Sequence, residues 1–216
     1  MDALYPNLFR ATKLIKIPLL WSVSAAMHIV KEGNEVIVID PFVLPDAEKE
    51  ALEQLGKPTA ILLTTTFHVR DAEQYRSRYG AKVFANRAAV PKLGIPVDEA
   101  FGDGDSLPGN LKAIEMTGTS PGETILQHNL EKSGLITGDA LFNLQKGETN
   151  AVIRLLGFRE NLNPMPKLII KDKKRAAEAY QRLLDYDFDQ ILVSHGAPIL
   201  SGAKEQLRAM LKGGRK

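Results

Sequence analysis

The run Val36-Ile37-Val38-Ile39, closed by Asp40 and Pro41, constrains this chain more than any other stretch. Side chains alternate across a strand, so four apolar residues in succession demand cover on both faces. Glu32-Gly33-Asn34 before it has hairpin-turn composition and ties it to an apolar strand over Val23–Val30. The strand itself is read as Glu35–Asp40. After it, Pro45 and Asp46 open AEKEALEQLG, with acids in the first turn and Gly56 as stop, which predicts a helix. A strand buried on both faces and followed by a helix points to a layered α/β fold.

The alternation continues. Thr12–Ile17 reads as an opening strand and Ala60–Thr64 as the strand after the first helix. Asp71 begins a second helix, with Gln74 at capping-box spacing and Gly80 as its end, and Lys82–Ala85 returns as a strand. Residues 86–110, rich in Pro and Gly, predict loops with at most one short strand. Leu111–Thr117, Glu123–Leu130 and Gly134–Thr137 resume the strands, and an irregular stretch runs to about Ile169. Ala176, Ala177, Tyr180, Leu183 and Leu184 give Lys173–Asp185 helical spacing; Gln190–Ser194 is a last strand and Ala203–Lys212 a last helix. Strand–helix alternation mixed with hairpins predicts mixed sheets. MHIVKEGNEVIVIDPF at 27–42 and QHNLEKSGLITGDALF at 127–142 share a histidine, two apolar strands about a charged turn, an aspartate and a phenylalanine. That likeness suggests one domain over 1–216 with similar halves at about 1–110 and 111–216.

Among the 216 residues there is no cysteine, so disulfides, zinc–thiolate sites and a cysteine nucleophile are excluded. The net charge of +2 gives no reason for a polyanionic partner, and the basic end LKGGRK at 211–216 reads as a solvated tail. MDALYPNLFRATKLIK lacks the apolar core of a secretory signal, and no apolar run approaches the ~18 residues of a membrane span. The expectation is therefore a cytoplasmic protein with neither nucleic acid nor membrane as partner. Its partner would be an unidentified small molecule, and a homo-oligomer stays open.

Four landmarks, in this order and at these distances, make the chain similar to the metallo-β-lactamase fold. They are VIVIDP at 36–41, LLTTTFHVRD at 62–71 followed by YGAKVFAN, GTSPGE with TGDALF within 118–142, and VSHGAP at 193–198. The similarity covers roughly Tyr5 to Ala203. It implies a four-layer αββα sandwich of two mixed β-sheets flanked by helices, with metal at the edge between the sheets. Active members carry T-H-x-H-x-D-H after the corresponding strand. Here Thr64 matches the threonine, while Thr65, Phe67, Val69 and Arg70 stand for the two histidines, the aspartate and the last histidine. Thr119 stands for the histidine of G-H-T/S-P-G, and only the bridging aspartate, Asp139, and the final histidine, His195, remain.

A zinc site needs three or four N, O or S donors at about 2.0–2.2 Å for N and O. Phenylalanine and valine offer none, threonine is a poor donor, and Arg70 brings a fixed positive charge. The family's dinuclear centre is therefore not expected here and no cofactor is expected. The alternative is a single Zn or Fe ion at Asp139 and His195. Arg70 is predicted to pair with Asp139 in place of a metal.

The catalytic candidates are Asp139, His195 and His68; Thr65, Phe67, Arg70 and Thr119 are expected to line the residual pocket. His68 stands one position out of register with the lost histidine. A shift would complete a site of two nitrogens and one carboxylate, but neighbouring residues at a strand end point in different directions, which argues against it. Asp71 reads as a helix N-cap, and His28 and His128 as ordinary strand histidines. Asp40 resembles a buried family aspartate, although Pro41 and Phe42 stand where the family has glycine. No spacing promotes Glu123 or Glu148. Ser120 and Ser194 are rival nucleophiles, yet neither sits in G-x-S-x-G, and sequence neighbours do not make a Ser–His pair. Three functions stay open: a non-hydrolytic protein with a degenerate metal site that binds a small molecule or partner in its cleft; a metal-dependent hydrolase of an ester- or amide-type substrate with a reduced mononuclear site; and a structural or dimerisation role.

Overall fold

The computed structural model describes residues 1–17 and 21–213; of the basic tail, residues 214–216 lie outside them. The chain opens with β1 (Asp2–Tyr5), β2 (Leu8–Ile17), β3 (Trp21–Glu32) and β4 (Glu35–Ile39). Then come α1 (Asp46–Leu55), β5 (Ala60–Leu63), α2 (Ala72–Tyr79), β6 (Lys82–Asn86), α3 (Val90–Leu93) and β7 (Glu99–Phe101). These seven strands form one sheet in chain order, antiparallel through β4 and parallel from β4 to β7. The second half contributes β8 (Ser106–Leu107), β9 (Leu111–Glu115), β10 (Thr124–Asn129) and β11 (Ser133–Thr137). A two-stranded ribbon of β12 (Leu141–Leu144) and β13 (Asn161–Pro164) encloses α4 (Ala151–Leu155). The chain then runs through α5 (Lys173–Arg182), a short 3-10 turn at Leu183–Asp185, β14 (Gln190–Val193) and α6 (Ala203–Gly213). The second sheet is ordered β14-β11-β10-β9-β8, with β14 parallel to β11.

The apolar run that opened the argument behaves as its pattern requires. Val36 and Val38 pack with Leu52 of α1 and Tyr75 of α2, while Ile37 and Ile39 meet Leu126, Ile136 and Leu192 of the other sheet. The second sheet repeats this on its own outer face, where Ile125, Leu135 and Ile191 pack with Tyr180 of α5 and Leu207 of α6. Helices, sheet, sheet and helices therefore stack as four layers. Burying a large aliphatic side chain contributes about 1.5–3 kcal/mol, so the three interlayer cores supply most of the cohesion.

Short elements were not legible as such. Residues 86–110 hold α3, β7 and β8, and the stretch read as irregular holds the β12–β13 ribbon with α4. Elements of two to five residues are too short for a period to emerge. Asp71 is not a side-chain cap. Its carboxylate accepts from Val43 N at 2.8 Å and from the Gln74 amide, tying the helix start to the loop after β4. Gly80 ends α2 in the left-handed conformation, as its composition predicts.

Parallel pairing positions the site. β4 lies parallel to β5, and β11 to β14, so Asp40, the 64–71 loop, Asp139 and His195 all emerge at carboxyl ends of parallel strands. Ligand sites of α/β sheets form at such ends. Two cross-sheet bonds, Ala26 N to Ser194 O and Thr124 N to Thr64 O, each 2.8 Å, close the sandwich beneath them.

Candidate metal centre

The loop after β5 does not continue as an extended strand. His68 N bonds Thr65 O and Ala72 N bonds Val69 O, so the chain turns twice between Thr65 and Ala72. Arg70 takes a positive φ of 38° as part of this course. The turn reverses the alternation an extended chain would keep. Phe67 is left 64% exposed and His68 swings into the interior at 3% exposure. Strand alternation therefore does not set the direction of His68, because the loop is a turn and not a strand end.

His68 Nε2, His195 Nε2 and Asp139 Oδ1 converge. The two nitrogens lie 3.3 Å apart, and Asp139 Oδ1 lies 3.4 Å from His68 and 3.2 Å from His195. Each imidazole is held from behind. His68 Nδ1 lies 2.8 Å from Asp40 Oδ2, and His195 Nδ1 lies 2.9 Å from the Ser24 carbonyl. A carbonyl can only accept, so His195 Nδ1 donates to it, and a neutral imidazole fixed in this way would present its Nε2 lone pair to the cluster. Asp40 accepts from Thr64 N at 2.9 Å and Thr64 Oγ1 at 2.5 Å, which leaves its orientation no freedom. Asp40 itself sits at φ 53°, a backbone state that Asp tolerates better than most residues.

Three donors facing one another at these distances require a cation among them. Burial alone would lower the His68 pKa, but the Asp139 and Asp40 carboxylates outweigh it and raise it to about 9. Burial would likewise raise Asp139, yet His68 opposite and the contacts from both imidazoles hold it well below the ordinary carboxylate range. Without metal, a proton on His68 fills the cation role. The donor set also fits a metal. Tetrahedral donors about 2.0–2.1 Å from one ion lie about 3.3–3.4 Å from each other, the edges seen here. A histidine whose second nitrogen is fixed by a carboxylate or carbonyl is the usual arrangement of a ligating imidazole. By the motif resemblance, Asp139 and His195 stand at two of the family's ligand positions, and Thr65, Phe67, Val69, Arg70 and Thr119 stand at the others.

The remaining expectations sort clearly. A cavity of about 520 Å³ opens on His68, Asp139 and His195, and Phe67 and Arg70 also line it. Thr65 and Thr119 do not line it; both are buried, and Thr119 Oγ1 turns to the Met116 carbonyl. Arg70 does not pair with Asp139. Its Nη1 reaches the backbone carbonyls of Ala26 and Asp40, while the histidines occupy the approach to Asp139. Ser194 donates to Thr137 O, 2.9 Å away, and Ser120 is buried away from the cavity lining, so neither serine is paired with a histidine base. His28 and His128 lie buried within β3 and β10. Glu148 accepts from Ser24 Oγ and Gln145 N, behind His195.

Glu123, which no spacing sets above a solvated residue, is placed otherwise by the fold. It is wholly buried beneath the cluster, and its Oε1 would lie 2.9 Å from a Cβ on Gly138, which must be glycine for β11 to end so close. Burial first, and the charge of Asp139 second, push its carboxyl well above the ordinary range. The only signal was its place after GTSPG, which gives no hint of burial.

A family model described as the metallo-beta-lactamase superfamily matches residues 21–212. The chain belongs to the metallo-beta-lactamase superfamily. No functionally curated protein matches it in sequence. Solved structures share the fold at low identity. The DIM-1 metallo-beta-lactamase, in a crystal exposed to ceftazidime, aligns with TM-score 0.70 at 11% identity over 99% of this chain and 96% of that one. A metallo-beta-lactamase from Pontibacter korlensis aligns with TM-score 0.70 at 16% identity over 98% and 97%. A family protein from Thermus thermophilus gives 0.67 at 19% identity over 99% and 81%. This superfamily member thus shares the sandwich fold of these structures over 98–99% of its length.

Proposed function

We propose that this superfamily member is a hydrolase working with a single metal ion held by His68, Asp139 and His195. The observation that carries the reading is the convergence of three donors whose two imidazoles are both locked from behind, by Asp40 and by the Ser24 carbonyl. A divalent ion there would supply Lewis acidity toward a carbonyl oxygen and a nucleophilic water near neutral pH. The protein's own contributions are separate. Asp40 and Ser24 orient the imidazoles, so little reorganisation accompanies the reaction. Phe142, stacked on His195 at 5.5 Å between centroids, and Phe158, edge-on to Phe142 at 5.1 Å, keep bulk water off one wall. Arg70 is the cationic side chain of the lining and meets negative charge on a bound acyl group. Glu123 lies wholly buried beneath the cluster, where burial and the charge of Asp139 both disfavour its ionised form.

The test is metal content with activity. Protein prepared with zinc should hold one ion per chain, cleave a simple carboxylic ester, and lose both on chelation or with His68→Ala. Retention of activity after complete metal removal would refute the reading. A non-hydrolytic binding protein is the second reading, supported by the loss of the family's other ligands at Thr65, Phe67 and Thr119. It predicts a defined cavity ligand with no turnover in the zinc-loaded protein.

A further inference from the structure

The polar groups of the cavity are gathered at one end. His68, Asp139 and His195 lie within 4.8 Å of one another, and beyond them Arg70 is the remaining charged side chain among the described residues of the lining. The other lining side chains among the described residues are apolar. From His195 the wall runs outward through Phe142 to Phe158, and Ile15 and Val23 pack on that aromatic pair. Met165, Ile169 and Phe67 complete the lining. Phe67, which lines the cavity, is also 64% exposed, so the apolar wall reaches solvent there. A slot whose wall begins at the reactive groups and offers, among the described residues, no side-chain donor beyond Arg70 suits one kind of ligand.

Polar ligands fare badly in such a slot, because each buried donor or acceptor left unpaired is penalised. Methylenes gain at every step along it. We propose that the cavity is a slot for an unbranched alkyl chain, and that the substrate is a carboxylic ester whose acyl chain runs from the His68–Asp139–His195 end outward between Phe142, Phe158 and Phe67. The proposal rests on the hydrolase reading for the reaction and on the cavity alone for the chain. Hydrolysis breaks the acyl C–O bond and forms a new one from water. One water proton ends on the leaving alkoxide and the other is released as the product carboxylate ionises. The carboxylate is then left at the Arg70 end, with its chain in the slot.

The product acids make the test independent of turnover. Calorimetric titration of the full chain, metal-free and zinc-loaded, compares butanoate, octanoate and an ether acid of octanoate's length with two methylenes replaced by oxygen. Each methylene should tighten binding about fourfold, so octanoate should exceed butanoate roughly two-hundred-fold, and the ether acid should fall back toward butanoate. Phe158→Ala should narrow the gap between octanoate and butanoate, and so should Phe67→Ser, whose exposed site leaves the core untouched. Equal affinity for octanoate and the ether acid, or no gain over butanoate, would overturn the slot while leaving the hydrolase reading in place. Chain selectivity in a protein that never retains zinc would do the reverse, sustaining the slot and sinking the hydrolase reading.

Discussion

Replacing Asp40 by asparagine isolates the feature on which the centre depends. The close partners of the Asp40 carboxylate donate to it: Thr64 N at 2.9 Å on Oδ1, and Thr64 Oγ1 at 2.5 Å with His68 Nδ1 at 2.8 Å on Oδ2, while Ser194 Oγ lies farther off at 3.5 Å. An amide has one accepting end, so either orientation sets a donor against a donor. With the NH₂ toward Thr64 N, a buried backbone N–H loses its partner at a cost of about 1–3 kcal/mol. With the NH₂ toward His68, the imidazole must shift its proton to Nε2, which removes that lone pair from the cluster. The backbone is not at issue, since asparagine also tolerates the φ of 53° at this position. Loss of such a second-layer partner typically weakens metal binding 10- to 100-fold, about 1.4–2.7 kcal/mol. Competition between the protein and a chromophoric chelator for zinc measures this directly. A folded Asp40→Asn variant that holds zinc within twofold of the parent would refute the assignment of His68 as an oriented ligand.

Three further outcomes follow from the same geometry. Stability of the metal-free protein should peak near pH 6.5 when followed by urea unfolding. Burial holds His28 at about 3 and His128 at about 4, so the unfolded chain binds more protons below 6.5, and acidification to pH 5 should cost about 2 kcal/mol for each. His68 has the opposite sign: raised to about 9, it binds its proton more tightly when folded, and that stabilisation is lost between pH 6.5 and 9. Zinc should displace the His68 proton, so calorimetry at pH 7 in buffers of different ionisation enthalpy should count close to one proton released per ion bound; a count of zero would mean that His68 is not a ligand. Gly196→Ala should destabilise the fold by about 3 kcal/mol or more, because φ is 97° and a Cβ there would stand 2.0 Å from Asn143 O. An unchanged unfolding midpoint for that variant would mean that the β12 ribbon does not press on the loop bearing His195.

The layered architecture was legible because it rests on local pattern. The VIVI run, the hairpin turn at Gly33-Asn34 and the helical spacing in α5 each state which faces must be covered, and the structure covers those faces. Asp139 and His195 were legible as strand-end residues for the same reason, since the ends of β11 and β14 follow from the apolar runs that precede them. His68 was not. Its direction depends on two successive turns in the loop after β5, and on a carboxylate, Asp40, that reaches it from a neighbouring strand. Thr65 and Thr119 were assigned to the cavity from motif position, but small side chains at those positions let the walls close over them. Sequence by itself determined the main strands and helices and which ends of the sheets carry polar groups, but not the short elements α3, β7, β8, β12, α4 and β13, because side-chain period and turn chemistry act over a few residues. Only the tertiary structure decided which histidine joins Asp139 and His195 and that Glu123 is a buried acid, because those facts depend on groups far apart in the chain meeting at the junction of two sheets.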